Sequence, residues 1–126
     1  MYWLCILLSQ APLEEGLPET EVVETGTLAD ADNLEADLEN KTASQRVADL
    51  LRIHRIRRSL LSPEDPKLAH TYMLLVRELY DDTTVSVDFL LGLAERAYQI
   101  YRQQVPLSAV DLATAANNLA VLLKKT

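Results

Sequence analysis

The chain has 126 residues, 48% of them hydrophobic, and a formal net charge of -7. That is apolar material for one small domain, and its Leu- and Ala-rich make-up, with Trp3 and Phe89 alone in their kinds, favours helix packed on helix over a sheet sandwich. The charge is split, because every acid of the first third lies within residues 14–39 and the chain from Arg46 onward is slightly basic, by about two charges; a uniformly acidic surface is excluded.

Residues 1–10 form a short apolar segment. Its core, residues 2–8, lacks the basic flank of a signal peptide and is far shorter than the roughly 20 residues of a membrane span. Cys5 is the only cysteine, so an intrachain disulfide is excluded and a reducing, cytoplasmic setting is expected. Asn40-Lys41-Thr42 would be a glycosylation acceptor only in a secreted protein.

Residues 11–42 read as a disordered, solvated acidic linker. They hold Glu14, Glu15, Glu19, Glu21, Glu24, Asp30, Asp32, Glu35, Asp37 and Glu39 and no aromatic residue. Pro12, Gly16, Pro18 and Gly26 interrupt any continuous helix, and Leu28, Leu34 and Leu38 suffice for a short acidic helix at most. Asp30-Ala31-Asp32-Asn33-Leu34-Glu35 has the look of a calcium loop but lacks its turn glycine and closing glutamate.

Residues 43–126 are the helical region. Thr42-Ala43-Ser44-Gln45 has the form of a capping box before Val47, Leu50, Leu51 and Ile53, so a helix is expected over residues 43–60. Within it Arg52-Ile53-His54-Arg55-Ile56-Arg57-Arg58 is the one basic cluster. No stacking aromatic accompanies it, so nucleic-acid binding is set aside in favour of arginines that snorkel outward from a packed helix, with the acidic segment as an intramolecular docking partner. Ser62-Pro63-Glu64-Asp65-Pro66 ends this helix and starts the next, whose stripe is Leu68, Tyr72, Leu75, Val76 and Leu79. Asp81-Asp82-Thr83-Thr84 breaks the pattern, and Phe89, Leu90, Leu93, Ala94, Ala97, Ile100 and Tyr101 carry a third helix to about Gln104. Pro106 marks the turn into a last helix rich in small residues, with Ala113, Ala116, Leu119, Ala120 and Leu123 expected on one face in need of a partner. His54 and His70 have no companions at metal-ligand spacing and are expected at the surface. No nucleophile and base are set together, so no catalytic residue, cofactor or metal is expected.

A shift of about 44 residues lays Leu68-Ala69 on Leu112-Ala113, Leu75 on Leu119, Leu79 on Leu123, Arg52 on Arg96 and Ile56 on Ile100. The first and third helices are thus expected to be equivalent, as are the second and fourth, in an all-α array of antiparallel helical hairpins.

With Leu112-Ala113-x-x-Ala116-Asn117-Asn118-Leu119-Ala120-Val121-Leu122-Leu123-Lys124-Lys125, Pro63-Glu64-Asp65-Pro66-x-x-Ala69 and Leu93-Ala94-Glu95-Arg96-Ala97-Tyr98-Gln99-Ile100, the chain resembles the tetratricopeptide repeat family, in the variety found in kinesin light chains. The resemblance covers about two thirds of the chain, roughly residues 46–126. It implies a right-handed superhelix whose first helices line a peptide-binding groove, and hence an adaptor that binds a protein or peptide, with neither nucleic acid nor membrane as partner. Implied groove residues are His70, Met73, Arg77, Thr114, Asn117, Asn118 and Val121, with Asn118 at the family's peptide-contacting position and Leu74 at the equivalent place upstream. The turn over residues 81–85 departs from the family in lacking its usual glycine and in being longer by about two residues. The first hairpin lacks a leading helix unless residues 2–8 supply it. The last repeat is incomplete, as in a fragment or short isoform of a longer array, and its uncovered face suggests self-association. An alternative is the helical lobe of a larger enzyme, such as a SET-domain methyltransferase.

Overall fold

The computed structural model describes residues 26–126. They form α1 (Leu28–Ala36), one turn of 3-10 helix (Leu38–Asn40), α2 (Ala43–Leu60), α3 (Pro66–Leu79), α4 (Val87–Arg102) and α5 (Ala109–Lys124), with no strand among the described residues. Each helix packs against the next, as short connections between helices favour.

Each of the five α-helices starts on a side chain that satisfies one of its otherwise unpaired first-turn amides. Thr27 and Asp30 form a reciprocal box on α1, the Thr27 amide donating to Asp30 Oδ2 at 2.8 Å and the Asp30 amide to Thr27 Oγ1 at 3.1 Å. Thr42 and Gln45 do the same for α2, as expected from sequence. Asp65 accepts from the Lys67 amide at 2.9 Å with Pro66 in the first turn of α3. Ser86 and Ser108 cap α4 and α5.

The core runs through all five helices, from Ala31 of α1 through Leu50, Ile53 and Ile56 of α2, Leu68, Tyr72 and Leu75 of α3, and Leu90, Leu93 and Ala97 of α4, to Ala115 and Leu122 of α5. Each large apolar side chain removed from water here contributes about 1.5 to 3 kcal/mol.

Four expectations are corrected. The acidic stretch is not linker throughout, because residues 28–40 form α1 and the 3-10 turn and bury Ala31 and Leu38 against α2. Helix α1 therefore leads the first hairpin; residues 2–8, named from sequence for that part, lie with the rest of residues 1–25 outside the described residues. Arg57 does not snorkel, its side chain being 2% exposed, and His54 is likewise buried in the core. Finally, α5 is rotated from the expected face. Its buried residues are Ala115 and Leu122, Leu112 and Leu119 are half-buried, and Ala113, Ala116, Ala120 and Leu123 are exposed. The 44-residue shift holds between α2 and α4, where Ile53 and Ile56 match Ala97 and Ile100 in burial. Between α3 and α5 the match is one residue shorter, pairing Tyr72 with Ala115 and Leu79 with Leu122.

Candidate functional site

Between α3 and α5, over a floor that includes Tyr101 of α4, lies a groove of about 610 Å³. The rotation of α5 sets its walls, since turning Ala115 and Leu122 onto α4 directs Thr114, Asn118 and Val121 toward α3. From α3 come His70, Met73, Val76 and Arg77. Six of the seven residues named from sequence, His70, Met73, Arg77, Thr114, Asn118 and Val121, thus surround one space. Asn117 does not line it and is exposed.

Each wall residue has a distinct state. Met73 is buried in the floor and Asn118 is half-buried, while Arg77 reaches into solvent with its guanidinium 3.6 Å from Glu78. The Thr114 hydroxyl donates to the Val110 carbonyl at 2.9 Å, which leaves its methyl and its acceptor lone pairs for contacts across the groove. Near Tyr80, Lys125 donates to the Tyr80 carbonyl at 2.9 Å and sits 3.8 Å above its ring, tying the end of α5 to the end of α3.

Toward the start of α5 the groove continues into a polar cavity of about 320 Å³ that shares His70, Tyr101 and Asp111 with it and adds Asp32, Glu35, Arg57 and Lys67. Buried Arg57 organises this end. It donates to Glu35 Oε1 at 2.6 Å, to Asp32 Oδ1 at 3.0 Å and to Thr71 Oγ1 at 2.9 Å, and the Thr71 hydroxyl donates in turn to the Lys67 carbonyl at 2.9 Å. Helix α1 is thereby joined to α2 and α3 by charge-assisted bonds. The Arg57 guanidinium, then the Lys67 ammonium, hold the Asp32 carboxyl below the usual aspartate range. Burial, reinforced by the Asp111 and Glu35 carboxylates, pushes the Tyr101 phenol up to about 12.

Tyr101, Asp111 and the Arg57 cluster were not expected as site residues. Tyr101 follows Ala94 and Ala97 at helical spacing and reads as packing, which its burial bears out; that its ring also floors a groove depends on where α5 lies. Arg57 lies two turns beyond Leu50 on the core-facing phase of α2, a signal obscured by the arginines around it. Among the described residues no group of three or more His, Cys, Asp or Glu side chains is placed to hold a metal ion, and no helix is long and apolar enough to cross a membrane. Comparison of the chain with protein-family models, with curated proteins and with solved structures gives no match.

Proposed function

We propose that this chain is a helical-repeat adaptor of the tetratricopeptide kind, with α1, α3 and α5 as first helices, α2 and α4 as second helices, and a segment of another protein bound in the groove between α3 and α5. The observation that carries the reading is the gathering of His70, Met73, Arg77, Thr114, Asn118 and Val121 around one mainly apolar groove. Met73, Val76 and Val121 offer contact area, and the Asn118 amide both donates and accepts, which suits the alternating groups of a peptide backbone.

The test takes a peptide selected from a random library on the full chain. Asn118→Ala should weaken its binding by about 0.5 to 1.5 kcal/mol, the worth of one peptide hydrogen bond, while changing stability by no more than about 0.5 kcal/mol. Val121→Arg, at a position 37% exposed, should block the groove without unfolding the chain. Peptides whose affinity is indifferent to Val121→Arg would place the interaction elsewhere.

A further inference from the structure

At the polar end of the groove a largely buried tyrosine lines the open space. Tyr101 is 4% exposed, lines both the groove and the polar cavity, and forms no hydrogen bond with any described residue. Asp111 and Glu35 line the same space, and their charges act on the phenol. Asp111 accepts a hydrogen bond from the Ser108 hydroxyl at 2.9 Å and has no cationic side chain against it among the described residues. Glu35 engages Arg57 through Oε1, but its Oε2 has only the His70 ring, at 3.6 Å. The nearby cations are already committed, Arg57 to Asp32 and Glu35, and Lys67 to both oxygens of Asp32 at 3.3 Å. Arg57 Nε is also unpaired but fully buried, so what a ligand entering the cavity meets is acceptor capacity and negative charge around the phenol oxygen.

We propose that this end of the groove receives a lysine or arginine side chain of the bound segment, its cation lying between the Tyr101 hydroxyl, Asp111 and Glu35 while an apolar side chain of the same segment packs against Met73, Val76 and Val121. The inference rests on the groove being the peptide site. A cation supplies the donors that the phenol oxygen and the carboxylates lack, in a setting where charge-assisted bonds are strong. An acidic segment would instead face Asp111 and Glu35 here and Asp81 farther along the groove. Along α5, Asp111 and the apolar stretch near Asn118 are about 10 Å apart at 1.5 Å per residue. An extended peptide covers that in about three residues, so basic and apolar anchors should recur at about that spacing.

The experiment selects short random peptides on the immobilised full chain and on three variants of it, Asp111→Asn, Tyr101→Phe and Val121→Arg, each checked for native helicity by circular dichroism. The unaltered chain should enrich peptides with Lys or Arg about three residues from a large apolar side chain, and replacing that base by Gln should weaken binding about tenfold. Asp111→Asn and Tyr101→Phe should each shrink the preference for the base while the apolar preference persists. Enrichment of apolar anchors without a base, or a base preference unmoved by Asp111→Asn, overturns this inference and leaves the groove reading standing. No enrichment, or enrichment indifferent to Val121→Arg, overturns both.

Discussion

His54 lies on the core face of α2 with both ring nitrogens unpaired, its ring centroid 5.7 Å from that of Tyr72, whose hydroxyl is also unpaired. Burial, then the positive charges of Arg58, Arg55 and Arg96, lowers its pKa to about 3 from the ordinary 6.5, so the folded chain holds it neutral. Unfolding frees the imidazole to bind a proton throughout the interval between those values. The stability this site contributes is therefore complete above about pH 6.5 and lost as the pH falls toward about 3, at up to about 1.4 kcal/mol per pH unit. Urea unfolding at a series of pH values should show that slope in the natural chain and a shallower one in His54→Leu; equal slopes would mean that His54 is solvated in the folded state. In sequence the same residue reads as a surface histidine, because the arginines on either side mask a phase that places it against α3. The phase of Arg57 is masked in the same way. That the acidic segment docks on the basic cluster is legible from charge, and Asp32 and Glu35 do so; which arginine they bury is not, because that depends on where α1 lies.

At the scale of the helix, caps and breakers were legible. The Thr42-Gln45 box and Pro66 mark the starts of α2 and α3 where the structure has them, since a cap is a local interaction between neighbours in sequence. Helix α1 was only half legible, because its acids suggested solvent while Leu28, Ala31, Leu34 and Leu38 made too thin a stripe to outweigh them. The rotation of α5 was illegible for a different reason. With Ala, Leu or Val at most positions from Ala109 to Leu123, several faces are apolar enough to pack, and the choice is made by α4. The observed choice has a direct consequence. Leu122 is fully buried and Leu123 is 55% exposed, so Leu122→Ala should cost about 2 to 5 kcal/mol and Leu123→Ala should stay within about 0.5 kcal/mol. Chemical denaturation of the two variants decides it, and the reverse order would restore the face expected from sequence.

For the molecule as a whole, consecutive helices packed in register leave α3 and α5 as the walls of one groove with α4 beneath it. The sequence made this arrangement partly visible because a repeat imposes equivalence at a distance: once α2 matches α4 and α3 matches α5, residues such as His70 and Thr114 are placed on corresponding helices without knowledge of their contacts. It left the groove's polar end out of view, since Tyr101, Asp111 and Glu35 come from three helices and meet only in the folded chain. The most direct measurement of the groove as a peptide site is backbone and side-chain NMR shift mapping of the full chain during titration with a peptide selected on it. The largest changes should fall at His70, Met73, Arg77, Thr114, Asn118 and Val121, with Asn117 and the outer face of α5 at Ala113, Ala120 and Leu123 little affected. Changes centred on that outer face or on the exposed side of α2, with the six groove residues silent, would contradict it.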